Sequence, residues 1–192
     1  MTGQFRAALL TRMPLATRSA ASSSLRLRQW RDADLAPFTA MNADADVMRF
    51  FLKRLTHDES AALMQRFRDG IEQRGWGLWA VEVDGEFAGL AGLNEPAWET
   101  HFTPCVEIGW RFHKKFWGRG IAFAAASMAM TYARDTLRLP ELVAFTTETN
   151  LCSRRLMERL GFSRNPHDDF PHPAVPENHP LRPHVLYRKR WE

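Results

Sequence analysis

Cysteine is scarce in this chain: Cys105 and Cys152 are the only two among 192 residues. Two cysteines make no disulfide framework, and they fit a reducing, cytoplasmic compartment. No apolar run approaches the ~20 residues that a membrane helix needs, so no membrane partner is expected. Acidic residues are missing from the first 31 positions, where six arginines lie (Arg6, Arg12, Arg18, Arg26, Arg28 and Arg31). Those six account for the formal net charge of +4, because the other 20 cations face 22 acids. The body is therefore close to neutral and has no clustered basic helix, which argues against nucleic acid as a partner. Zinc-type spacings are also missing around His167, His172, His179 and His184, so no metal is expected despite Asp168 and Asp169 nearby.

What is present is a globule. Hydrophobic residues make up 45% of the chain, with seven tryptophans, and the length suits one domain with its own core. Residues 1–24 are rich in Arg, Ser, Ala and Leu, which resembles a transit peptide in composition and equally suits a flexible extension. We take them as an extension, with a single domain over residues 25–192 as a monomer or homodimer.

The alternation in "LRLRQW" predicts a first strand from Leu25, followed by a helix from Asp32 to about Asn42. Thr56 and Glu59 form a capping box for a second helix ending at Gly75. "WGLWAVEV" and "FAGLAGL" flank Asp84-Gly85, a hairpin signal. Cys105 to His113 reads as a fourth strand, with Val106, Ile108, Trp110 and Phe112 on one face and Cys105, Glu107, Gly109 and Arg111 on the other. A helix follows with Ile121, Ala125, Met128 and Tyr132 along one stripe, then a fifth strand, "LVAFTT". A short helix stops at Gly161, a long loop carries five prolines, and "HVLYRKRW" closes the sheet.

Between the fourth strand and its helix lies "KKFWGRGIA", Lys114 to Ala122, with two glycines and three cations. A helix start leaves backbone N–H groups unpaired and carries partial positive charge, and glycines let a ligand approach closely. Together these make a phosphate site, with Lys114, Lys115 and Arg119 as a cationic rim. The spacing is neither a P-loop nor a dinucleotide fingerprint. It resembles the R/Q-x-x-G-x-G/A signature of GNAT-type N-acetyltransferases, with Lys115 where Arg or Gln is usual. "EIGWRFHKKFWGRGIA" followed by "TETNLCSRRLMERLGF" resembles the branch that includes ribosomal-protein alanine N-acetyltransferases, over residues 25–192.

The resemblance implies an α/β fold with a mixed, mostly antiparallel sheet flanked by helices, its strands splayed after the fourth. It implies acetyl-CoA as co-substrate and a primary amine as acceptor, on a small molecule or a protein N-terminus. Trp117, Gly118, Arg119, Gly120, Ile121 and Ala122 would line the pyrophosphate, and Trp110 and Phe112 lie in the strand that would lend its backbone to the pantetheine. A family tyrosine acid falls at Met157, which cannot donate a proton. In the similar branch a serine three residues after the leading Asn is used, here Ser153 beside Asn150. A competing reading, an acyl-CoA binder without catalysis, rests on Met157.

Amide formation needs a neutral amine. At pH 7 an α-amine loses its proton for about 1–1.5 kcal/mol and a lysine for about 4–5 kcal/mol. Glu107, mid-strand and opposite the apolar row, is the candidate base, acting through a water; the alternative is a structural carboxylate paired with Arg111 or a helix-end donor. Ser153 is read as a hydrogen-bond donor to the leaving thiolate, against an ordinary first-turn serine. Cys152 lacks a histidine in register to act as a nucleophile.

Overall fold

A computed structural model of the protein describes residues 15–18 and 24–191. The strand over Leu15–Arg18 (β1) pairs antiparallel with Ser24–Arg28 (β2), so the sheet starts earlier than Leu25. This places part of the expected N-terminal extension in the sheet, while residues 1–14 and 19–23 lie outside the described residues.

A 3₁₀ turn at Asp32–Asp34 leads into α1 (Leu35–Ala43), and α2 follows over His57–Arg74. Thr56 and Glu59 cap the start of α2 reciprocally, and the chain turns at Gly75 as expected. The hairpin β3 (Leu78–Val83) to β4 (Glu86–Asn94) turns at Asp84 and Gly85 with φ of 52° and 83°. Two successive left-handed residues match the twist of the strands, which is why the Asp-Gly pair is there. Next come β5 (Glu107–Phe112), α3 (Ile121–Asp135), β6 (Glu141–Thr147) and α4 (Leu151–Arg159). Short pieces β7 (Ser163–Arg164) and β8 (Phe170–Pro171) both pair with the last strand, β9 (Pro183–Arg190). Neither short piece is evident in the sequence, because strands of two residues exist only through their partner.

The sheet order is β1-β2-β3-β4-β5-β6-β9-β7, with β8 beside β9. Every pairing is antiparallel except β5 with β6, which α3 connects. This is the mixed, mostly antiparallel sheet flanked by helices that the sequence implied. Trp30, Phe38 and Phe87 clasp α1 to the sheet, with ring centroids 4.9 Å and 5.6 Å from Trp30. On the opposite face Ile121, Ala125 and Met128 of α3 are buried and Tyr132 packs on Trp79 at 5.3 Å. A second aromatic group, Trp98, Phe102, Phe145 and Phe170, pins the β4–β5 connection and the proline-rich loop to β6 and β9. No helix among the described residues is long and apolar enough to cross a membrane.

Candidate functional site

β5 and β6 touch at one end only. Glu107 lies opposite Val143, whose N–H donates to Val106 O at 3.0 Å, and beyond that point no further register pair forms. The two strands run parallel and then part, which opens a gap at their carboxyl ends. This is the splay expected after the fourth strand, shifted by one strand number because β1 precedes it.

The phase of the β4–β5 ladder decides what faces the gap. The His113 N–H donates to Ala88 O at 3.0 Å, so odd-numbered residues of β5 bond to β4. The even-numbered residues therefore aim their backbone groups away from β4, toward β6. Phe112 O already accepts the Trp117 indole N–H at 2.9 Å. That leaves the N–H and C=O of Trp110 on the open edge. The Phe112 side chain is buried in the core, so this residue offers the gap its N–H alone.

At the gap's end stands the start of α3. Gly118 and Gly120 take left-handed φ values of 71° and 74°, which a residue with a Cβ rarely adopts, and the space beside both is open. The first helical N–H with a backbone acceptor is that of Ala124, bonded to Gly120 O at 3.0 Å. Among the described residues, the N–H groups of Gly118, Arg119, Gly120, Ile121, Ala122 and Phe123 have no acceptor. Six unpaired donors around a helix start suit an anion. The cationic rim is thinner than expected: Lys114 is ion-paired with Asp46 and Lys115 with Glu86, while Arg119 lies over Phe116 at 5.3 Å. Exposed pairs of this kind cost little to open. Trp117, immediately before Gly118, is 49% exposed.

α4 starts from the carboxyl end of β6, beside the same gap. The Asn150 side chain caps it: its Oδ1 accepts the Ser153 N–H at 3.3 Å and its Nδ2 donates to Thr146 Oγ1 at 3.0 Å. Asn150 is thus occupied within the protein, whereas the half-buried Ser153 hydroxyl has no partner among the described residues. Met157 is 2% exposed and packs in the core. Cys152 is exposed. Burial, followed by the charge of Glu107, pushes the Cys105 thiol up to about 11, which keeps it inert at neutral pH.

Glu107 sits on the face of β5 that looks toward α1. Burial raises its carboxyl to about 7, opposed by the hydrogen bond from Asn94 Nδ2 at 3.3 Å. It has no ion-pair partner among the described residues. The pairing with Arg111 weighed above does not form, since Arg111 Nη1 donates to Asn42 Oδ1 at 2.6 Å. Asn94 and Asn42 were both missed in the sequence; strand register alone would have put Asn94 opposite Glu107. The late histidines do not gather as ligands. Asp168 and Asp169 pair with Arg188 and Arg164, and the His172 ring lies 4.7 Å from that of His184, tilted by 49°. No group of three metal-ligating side chains occurs among the described residues.

Comparisons with known proteins bear on the fold and the family. The acetyltransferase (GNAT) domain model matches residues 24–163. FsC-acetyl coenzyme A-N(2)-transacetylase of Aspergillus fumigatus is 30% identical over 130 residues, which cover 64% of this chain and 55% of that protein. The chain therefore spans about half the length of that relative. Spermidine N(1)-acetyltransferase of Escherichia coli is 28% identical over 140 residues, 73% of each chain. The fold is also that of Mycobacterium smegmatis RimJ, solved in complex with CoA-disulfide, with a TM-score of 0.69 at 19% identity over 87% of this chain and 82% of that one. With a family model covering well over half of its length, the protein belongs to the GNAT acetyltransferase family.

Proposed function

We propose that the protein moves an acetyl group from acetyl-CoA to a primary amine by direct attack in a ternary complex. The observation that carries this reading is the row of free N–H groups from Gly118 to Phe123 beside the open edge of β5. The row receives the pyrophosphate, and Trp110 pairs with the pantetheine amides as a missing strand would. The thioester then lies along the gap, between Glu107 on one strand and the start of α4 on the other.

Glu107 takes the proton from the amine through a water, a task suited to a carboxyl that titrates near 7. The amine nitrogen attacks the thioester carbonyl, and a free backbone N–H of β5 holds the oxygen as negative charge builds on it. When the C–S bond breaks, the electron pair goes to sulfur, and the Ser153 hydroxyl donates a hydrogen bond to the thiolate. A second reading, acyl-CoA binding without transfer, is favoured by the buried Met157, which supplies no acid. Acetyl-CoA turnover against N-terminal peptides, polyamines and aminoglycosides separates the two. Thiol release that depends on the amine supports transfer, and tight binding without release on any acceptor supports the binder.

A further inference from the structure

Arg111 is more than the fold needs. It lies four residues from Glu107 on the same face of β5, where pleating turns both toward α1. Among the described residues its only acceptor is Asn42 Oδ1, and Asn42 is itself fully buried, its Nδ2 donating to Ser60 Oγ at 3.1 Å. Arg111 Nε is buried with no partner. Nη2 has no acceptor among the described residues either, yet unlike Nε it is not sealed from solvent. No carboxylate pairs with this guanidinium among the described residues. Phe51, 42% exposed at the α1–α2 connection, covers it at 4.1 Å. Burial lowers the group to about 10, with no anion among the described residues to oppose that shift. A neutral donor would tie β5 to Asn42 equally well, so the charge and the open Nη2 are what remain for a ligand.

We propose that Arg111 binds a carboxylate carried by the acceptor, so that the acceptor is an amino-carboxylate and not a polyamine. This rests on the acetyl-transfer reading, with the amine at Glu107. Four residues of strand separate the two Cα atoms by about 13 Å. Allowing about 3 Å for the hydrogen bond at Arg111 and about 4.5 Å for the bent water bridge at Glu107 leaves roughly 5–6 Å between amine and carboxylate. An extended dipeptide spans roughly that distance. A longer peptide meets the same requirement with an acidic side chain next to its N-terminal residue. Phe51 and the 49% exposed Leu52 then form an apolar lip over the intervening chain.

The test compares alanylalanine, its C-terminal amide, the α-amide of alanyl-aspartate, whose one carboxylate is the aspartate side chain, and spermidine, with wild type and Arg111→Gln. Gln is two bonds shorter and draws its donor back from Asn42 Oδ1, so thermal unfolding first establishes that the variant is folded, and Arg111→Lys, which has the longer reach, is the control for that lost contact. In wild type, kcat/KM for a carboxylate-bearing acceptor should exceed that for the amide by at least ~10-fold, chiefly through KM, because the ion pair forms before reaction. In Arg111→Gln that ratio should fall to about one, and Arg111→Lys should restore part of it. Whichever of the two acids is preferred identifies the carboxylate as terminal or side-chain. Equal use of acid and amide by wild type, a preference that survives Arg111→Gln, or spermidine as the best acceptor overturns the proposal while leaving acetyl transfer intact. Acetyl-CoA binding with no turnover on any acceptor overturns both.

Discussion

Replacing Glu107 by Gln should have opposite effects on activity and on stability. Gln keeps the shape and can still accept from Asn94, but it cannot take a proton. As a general base Glu107 contributes on the order of 10²–10⁴ in rate, so kcat should fall by that factor. In wild type, kcat should rise through a limb near pH 7, where the carboxyl ionises, and this limb should be missing from the variant. The stability sign runs the other way. The folded carboxyl titrates near 7 against an ordinary 4.5, so the folded chain holds this proton more tightly than the unfolded one. Its stabilising contribution is whole below pH 4.5 and is lost as pH rises to 7. Glu107→Gln should therefore match wild type near pH 4 and be more stable above pH 7. The ceiling is about 3 kcal/mol, reduced where water reaches the carboxylate. Stopped-flow or coupled thiol detection reads the rate, and thermal unfolding at pH 4.5 and 8 reads the stability. A variant that is less stable at pH 8 but acetylates normally would show a structural carboxylate and refute the assignment.

Ser153→Ala should lower kcat while leaving acetyl-CoA affinity within a few-fold, because its hydrogen bond strengthens only as sulfur gains charge; equal loss in steady-state rate and calorimetric affinity would make it a binding contact. A chain beginning at Ser23 loses β1, a four-residue edge strand, and should melt within a few degrees of the full chain with normal turnover. Aggregation of that shortened chain would show that β1 protects the β2 edge.

The elements that carry local signals were legible: the Thr56–Glu59 box, the Asp84-Gly85 turn, the glycine-rich helix start and the stripe of α3 all follow from short-range rules. So was the face shared by Glu107 and Arg111, since alternation along a strand needs no tertiary knowledge. What each of those side chains meets was not legible. Arg111 finds Asn42 across 69 residues, and Asn94 reaches Glu107 only because β4 and β5 pair in one register. The ion pairs of Lys114 and Lys115 depend on Asp46, in the α1–α2 connection, and Glu86, at the start of β4, which the fold brings to the same rim. β7 and β8 are too short to have a periodicity, and β1 lies in a segment with no apolar alternation to mark it.

The central claim is that the start of α3 holds the pyrophosphate of acetyl-CoA, and calorimetric titration of acetyl-CoA into wild type, Gly120→Asn and Gly120→Asp tests it most directly. Asn and Asp have similar shape and tolerate the left-handed backbone, so the difference between them isolates charge. A carboxylate about 4 Å from a phosphate oxygen costs up to ~4 kcal/mol before screening. Wild type should bind at micromolar affinity, Gly120→Asn within about 10-fold of it, and Gly120→Asp at least ~100-fold more weakly, with all three folded. Equal affinities for the Asn and Asp variants would mean that the anion sits elsewhere and would contradict the account.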